Sequence, residues 1–161
     1  MTLVPLRLGP GADLRLALEA WMDQRQGRAG WVISGIGSLA VARIRLAGQD
    51  RITTLDGNLE LLSLAGSLGP DGAHLHLAIA DHQGVVTGGH LAAGSLVRTT
   101  AELLLAVLPD WNFNRELDPA TGYRELQIRP FPGGDPRMGP GDWGPAELAV
   151  SLGVTGWLSG P

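Results

Sequence analysis

The chain has 161 residues, 44% of them hydrophobic, a size that suits one domain with one buried core and excludes two comfortable ones. It contains no cysteine, which excludes disulfides and thiolate metal sites and leaves histidine and carboxylate as the strong metal ligands. The net charge is −4, every basic side chain is an arginine, and the arginines form no basic stripe or arm of the kind that nucleic-acid-binding proteins usually carry.

The N-terminal segment MTLVPLRLGPG does not resemble a signal peptide, because Pro5 and Arg7 interrupt its apolar residues. No apolar run in the chain reaches the length of a transmembrane helix. We therefore expect a cytoplasmic protein with no membrane partner.

An amphipathic helix is predicted within residues 13–26. Its apolar residues recur at helical spacing, and they are Leu14, Leu18, Trp21 and Met22. Asp13 suits the N-cap position, and Gly27 suits the stop that follows a helix.

Residues 30–48, GWVISGIGSLAVARIRLAG, are apolar and β-branched, and they predict two strands that meet at Gly35 and Gly37. The glycines superficially match a dinucleotide-binding pattern, but alternating strand follows them instead of a helix, so we expect no such cofactor. Arg43 and Arg45 fall on one face of this strand, the usual place for solvated charges.

Further strands follow, each bounded by turn signals. Residues 56–69 form the first, between expected turns at Asp56-Gly57 and Gly69-Pro70, and the others are expected within residues 73–90, 95–109 and 123–128. One early helix followed by strands in series indicates an α+β fold with a mainly antiparallel sheet and few helices.

The composition changes after Pro130, where glycine and proline become frequent. We therefore predict one domain over residues 1–130 and a Gly/Pro-rich C-terminal tail over residues 131–161. The end of this tail could form a short helix.

All four histidines lie within residues 73–90. Because side chains alternate along a strand, His74 and His76 share one face, and the apolar residues between them share the other. The turn DHQG suits a three-residue hairpin loop with Gly84 in the left-handed conformation, which places His76 opposite His90. His74 then lies diagonally within about 8 Å, so three imidazoles converge on one face.

Three neutral imidazoles at this separation suit zinc or a similar divalent ion, with the fourth coordination position open. The alternative is a set of hydrogen-bonded histidines at a subunit contact. His82 lies at the tip of the predicted turn, where we expect it to be solvated.

Three charged residues outside the hairpin are weaker candidates. Glu60 and Glu102 lie within apolar strands, where an unpaired charge is costly, so each is expected to have a partner or to serve the site. Glu102 is the candidate general base, and Arg98 is a candidate ligand for an anion.

Three segments together resemble the plants and prokaryotes conserved domain, the PPC domain. They are GIGSLAVARI, GNLELLSLAGSL and HLHLAIADHQGVVTGGHLAAGSLVRTTAELLL. The resemblance extends over residues 3–129, and the HLH…GGH pairing is its most specific part.

The resemblance implies an α+β fold assembled as a homotrimer, with a metal held by the residues that match His74, His76 and His90. In plants the domain follows an AT-hook and acts in transcription, and prokaryotic relatives are described as DNA-binding. It further implies that a protein partner binds the segment formed by Gly57, Asn58, Leu59, Glu60, Leu61 and Leu62.

The sequence thus favours an oligomeric binding module with a three-histidine divalent-metal site and a DNA-associated or transcription-related role. The alternative is a metal-dependent enzyme or small-ligand binder that uses the open coordination position. Direct DNA binding through pooled arginines is the third hypothesis. The chain has no AT-hook, and three subunits at −4 each would repel DNA at long range, which argues against it.

Overall fold

The computed structural model describes residues 1–131, which form eight strands and one helix. In chain order they are β1 (Thr2–Leu8), α1 (Leu14–Gln24), β2 (Gly30–Arg45), β3 (Ile52–Gly69), β4 (Gly72–Ala80), β5 (Val86–Leu91), β6 (Leu96–Val107), β7 (Trp111–Leu117) and β8 (Arg124–Pro130). The predicted α+β class is confirmed. The predicted tail lies, apart from its first residue, outside the described residues.

The larger sheet has the strand order β1-β6-β2-β3-β4-β5, and all its pairings are antiparallel. β5 also pairs with β2, where Ile44 lies opposite Leu91 and Arg45 lies opposite His90. Strands β2 to β5 therefore close into a ring, and this closure brings the end of β2 to the histidine-bearing strands. β7 and β8 form a separate two-stranded sheet.

The predicted helix is confirmed, with Asp13 as its N-cap. One carboxylate oxygen of Asp13 accepts hydrogen bonds from two backbone N–H groups of the first turn. The helix ends at Gln24, and Gln26, rather than Gly27, takes the left-handed conformation with φ +51°. The N–H of Gly27 donates to the carbonyl of Met22 and helps to terminate the helix.

The helix buries its apolar face in the same core as the inner face of the sheet. Its buried residues are Leu14, Ala17, Leu18, Trp21 and Met22. A carboxylate oxygen of Glu19 accepts a hydrogen bond from the N–H of Ala73 and so ties the helix to the start of β4.

Within residues 1–131, no helix has the length and hydrophobicity that a membrane crossing needs.

The expectation of two strands meeting at Gly35 and Gly37 is wrong, because β2 runs through both glycines without a break. Gly37 has φ +146°, and a Cβ atom at this position would overlap the carbonyl oxygen of Thr100 on the neighbouring β6. The glycine therefore serves a bulge and a close approach of two backbones, and the long strand bends there instead of ending.

The expected turn at Asp56-Gly57 is also wrong, because both residues lie inside β3. The pairing of β3 with β2 shifts by one residue between Leu39 and Val41, so this part of β3 is a bulge. A bulge and a turn use the same residue types, which explains the error. The turn after Gly69 is confirmed, since Gly69 pairs with Gly72 across a two-residue loop.

Gly37 and Gly84 both have a positive φ, but we expect their substitution to lower the stability of the fold by different amounts. We expect Gly37→Ala to lower the free energy of unfolding by about 2–4 kcal/mol, because strained backbone and overlap with Thr100 add together. Gly84→Ala should lower it by about 1 kcal/mol, because a Cβ there meets open space. Urea unfolding of both variants measures the difference, and equal losses would contradict the bulge as described.

Candidate metal centre

The β4–β5 hairpin has the turn and register that the sequence predicts. The N–H of Gly84 donates to the carbonyl of Asp81, the N–H of Asp81 donates to the carbonyl of Val85, and Gly84 has φ +79°. The Asp81 carboxylate accepts from the N–H groups of Val85 and Gln83, and these bonds hold the pKa of Asp81 below its ordinary value. His76 lies opposite His90, as predicted.

Three histidines form a cluster on the outer face of this hairpin. The Nε2 atoms of His74 and His76 lie 3.2 Å apart, and one ring nitrogen from each of His74, His76 and His90 lies within 4.8 Å of the others. The ring centroids of His74 and His90 are 4.7 Å apart. Two of the rings are half-buried, and that of His76 is exposed. His82 is exposed at the turn, as expected.

Small residues surround the cluster on the same face of the sheet. Ala65 and Ser67 lie opposite His76 and His74 on β3, and Ala78 lies opposite Gly88 on the hairpin. The alternate residues of β4, which are Leu75, Leu77 and Ile79, are buried in the core. The outer face therefore has room for an ion and a small ligand above the histidines.

Arg115 of β7 is the nearest charged neighbour of the cluster. Its Nη2 atom lies 2.6 Å from Nδ1 of His74, and the same atom donates to Oγ of Ser67 at 3.3 Å. Because a guanidinium can only donate, Nδ1 of His74 accepts, and the ring proton of neutral His74 is on Nε2. That proton points to Nε2 of His76, so a hydrogen bond links these two rings.

The histidines next to Arg115 and Arg45 are held in their neutral form. Burial lowers the pKa of His90 from its ordinary 6.5 to about 4, and the charges of His74 and Arg45 act in the same direction. Burial, followed by the charge of Arg115, lowers the pKa of His74. A neutral imidazole is the form that binds a metal ion, so neither ring has to lose its positive charge near pH 7 before it can act as a ligand.

The residues present fit a divalent metal ion. Nδ1 of His90 is buried and has no hydrogen-bond partner, an uncommon state that a ligand would relieve. In a tetrahedral zinc site the nitrogen ligands lie about 3.3 Å apart. His74 and His76 already have this spacing, and the ring nitrogen of His90 lies within 4.8 Å of theirs.

An open cleft of about 770 Å³ adjoins the cluster. His74 and His90 form part of its wall, and the loop after β2 and the β7–β8 hairpin form much of the remainder. Its charged residues are Arg15, Arg45, Asp50, Asp71, Arg115, Arg124 and Glu125. The metal candidate therefore opens onto a space large enough for a small molecule.

Two weaker site candidates are not brought together with the histidines. Glu102 and Arg98 are exposed on β6, which β2 and β3 separate from β4 in the sheet order, and neither lines the cleft. Glu60 and Glu102 were expected to have a partner or to serve the site because an unpaired charge within an apolar strand is costly, but both side chains are exposed, so this cost does not arise. Alternation along the strand permits an acidic residue there at little cost.

The segment Gly57–Leu62 lies in β3, and its role in partner binding stays a prediction. Leu59 and Leu61 are buried, whereas Glu60 and Leu62 are exposed. An exposed strand of this composition could be recognised by another protein, but only its alternate side chains are available for contact.

Sequence reasoning missed Arg115 and Arg45. Arg115 is 41 residues from His74, and the sequence carries no local signal that the two meet. The strand that carries Arg115, β7, was not predicted either, although WNFNREL alternates as a strand does. Arg45 was predicted to be solvated, and it is exposed, but it lines the cleft beside His90. Arg43 is half-buried and donates to the carbonyl of Ala93.

The chain matches a known protein family. The model of the Plants and Prokaryotes Conserved (PCC) domain matches residues 1–109. The bifunctional protein GlmU from Synechococcus sp. (strain JA-2-3B'a(2-13)) is 51% identical over 136 residues, which are 84% of this chain and 21% of that protein. The chain therefore spans about a fifth of the length of this curated relative.

Two solved structures share the fold. A hypothetical protein from Salmonella cholerae-suis matches with a TM-score of 0.77 and 43% identity, over 80% of this chain and 93% of that one. A metal-containing protein from Archaeoglobus fulgidus matches with a TM-score of 0.64 and 25% identity, over 79% of this chain and 94% of that one. Both likenesses extend over nearly the whole of the matched structures.

The lowered pKa of His90 predicts how the stability of the metal-free protein depends on pH. Above pH 6.5 the ring is neutral in both the folded and the unfolded state, so it has no effect there. As the pH falls from 6.5 towards 4, the unfolded state binds a proton that the folded state does not, and the free energy of unfolding decreases.

His90→Gln removes this proton-binding difference, so the variant should lose less stability than the wild type between about pH 7.5 and about pH 5. Urea unfolding at the two pH values measures the loss. His82→Gln is the matched control, because His82 is exposed at the turn, and it should behave like the wild type. An equal loss in His90→Gln and the wild type would contradict the environment described for this ring.

Proposed function

We propose that this chain, which belongs to the Plants and Prokaryotes Conserved domain family, is an oligomeric binding module that holds a divalent metal ion on His74, His76 and His90. The observation that carries the proposal is the convergence of ring nitrogens from three histidines. One of these histidines, His90, also has a buried ring nitrogen without a hydrogen-bond partner.

The chemistry of the ligands supports zinc or a similar ion. Imidazole nitrogens suit zinc, copper, iron and nickel, whereas magnesium and calcium prefer oxygen ligands. The likeness to the metal-containing Archaeoglobus protein, which is 25% identical, supports the presence of a metal site but does not specify the ion. With three protein ligands, a bound ion supplies Lewis acidity at an open coordination position.

Arg115 controls the state of the first ligand. If His74 binds through Nε2, its ring proton must lie on Nδ1, where the guanidinium of Arg115 now donates. The guanidinium therefore has to release His74 when the ion binds, and its positive charge opposes binding until it does so. Arg115 thus positions His74 and limits how tightly the site holds a cation.

Oligomerisation into a homotrimer is part of the proposal, supported by an exposed apolar row on the central strand β2. Trp31, Ile33 and Ile36 are 39%, 46% and 52% exposed on the outer face of the sheet. Trp31 also lines a shallow groove that contains His74 and His76. Large apolar side chains are rarely left exposed in a row on a central strand, and a second copy of the chain would bury them.

A protein partner, rather than direct contact with the nucleic acid, would carry any DNA-associated role. The net charge of −4 argues against a surface that follows the phosphate backbone of DNA, and several arginines of residues 1–131 already pair with acidic side chains, as Arg129 does with Glu116. The segment Gly57–Leu62 is the surface that we propose for this partner.

The cleft beside the cluster favours a second candidate function, a metal-dependent small-ligand binder or enzyme.

Metal content tests the proposed site directly. The full chain, purified without a histidine tag, should bind close to one zinc ion per chain, measured by equilibrium dialysis and elemental analysis. His76→Ala should weaken this binding by at least tenfold, because a three-ligand site loses one of its donors. His82→Ala should retain wild-type binding, since His82 lies at the turn tip, away from the cluster. Absence of zinc from the wild type would refute the proposal.

The oligomeric state tests the apolar surface. Light scattering after gel filtration should give about three times the chain mass of 16.9 kDa. Ile36→Asp should dissociate the assembly, because a charge would be buried at the interface. Leu16→Asp, on the exposed face of α1, should leave the mass unchanged. A wild-type protein that elutes as a monomer would rule out the trimer.

A further inference from the structure

Arg45 differs from the other arginines of the cleft. Arg15 pairs with Glu19 at 2.9 Å, Arg124 lies 3.7 Å from Asp71, and the third, Arg115, binds His74. Arg45, by contrast, forms no ion pair or hydrogen bond with its side chain within residues 1–131. The cleft therefore contains one guanidinium whose donors are all available.

The position of Arg45 is fixed by the closure of the strand ring. It lies directly opposite His90 where β2 meets β5, so its side chain leaves the sheet beside the cluster. Gly89, the neighbour of His90, allows this approach, because a Cβ there would lie 2.7 Å from the carbonyl oxygen of Arg45. Arg45, His74 and His90 all line the same cleft, so the guanidinium and the two rings share one space.

The acidic residues of the cleft do not neutralise Arg45. Asp71 accepts from the N–H of Arg115 at 2.7 Å and faces Arg124, and Glu125 accepts from the hydroxyl of Thr121. Asp50 lines the cleft but forms no ion pair with Arg45.

We propose that the cleft binds a small anionic ligand, and that Arg45 recognises its carboxylate or phosphate group beside the three histidines. A guanidinium presents paired donors that match two oxygens of either group. The volume of about 770 Å³ suits a small molecule, and the cleft lies within one chain. This inference deepens the proposed function, because the anion lies beside the metal site, yet its contact with Arg45 does not require the metal.

Anion titration tests the inference with simple probes. Inorganic phosphate and acetate are added separately to the metal-free full chain, up to roughly 50 mM, and followed by ¹H–¹⁵N NMR. We expect saturable shifts at the amides of Gly48, Gln49 and His90, and the probe that binds more tightly identifies the anionic group. Arg45→Gln should weaken binding by at least fivefold. Arg98→Gln is the control, because Arg98 is exposed on β6 outside the cleft.

Three results would overturn the inference: no saturable shift in the wild type, unchanged binding in Arg45→Gln, or an equal loss in Arg98→Gln. Zinc binding by Arg45→Gln is measured in parallel and should be at least as tight as that of the wild type, because Arg45 is not a metal ligand and its positive charge opposes a cation. If the wild type binds phosphate through Arg45 but binds no zinc, the proposed metal site fails and the anion site stands. If it binds zinc but no anion, only the anion site fails.

Discussion

The register of the β4–β5 hairpin is the constraint on which the site depends. It is set by the hydrogen bonds between Asp81, Gly84 and Val85, and it places His76 directly opposite His90. A shift by one residue would send His90 to the buried face, because side chains alternate with a period of two. Two local backbone hydrogen bonds thus decide whether the histidines form a cluster or are distributed over two faces.

The pairing of β2 with β5, which closes the strand ring, brings Arg45 to the histidine cluster. Without the pairing of β2 with β5, Arg45 would lie on an ordinary solvated strand, far from any histidine. With it, positive charge and partial burial act together on His74 and His90, and both keep the rings neutral. The protein thus pays the cost of desolvating these rings during folding, before any ion or ligand arrives.

What could be predicted from the sequence was local. The helix cap at Asp13 and the hairpin around Gly84 depend on residues within a few positions of each other, and both predictions are confirmed. The prediction failed where one residue type suits both a turn and a bulge. At Asp56-Gly57 and at Gly37 the sequence predicted that a strand ends, but the strand continues through a bulge. The contact of Arg115 with His74 spans 41 residues and depends on tertiary packing, which no local pattern encodes.

The β7–β8 hairpin lies outside the region that the family model matches, which ends at residue 109, whereas all three histidines lie inside it. This hairpin contributes Arg115, Arg124 and Glu125 to the cleft, and it forms its own small sheet. The three histidines and Arg45 therefore lie in the segment that the family model matches, whereas part of the cleft wall comes from a hairpin beyond it. Exchange of this hairpin would change the wall of the cleft and remove the contact of Arg115 with His74, while the three histidines and Arg45 keep their places on the larger sheet.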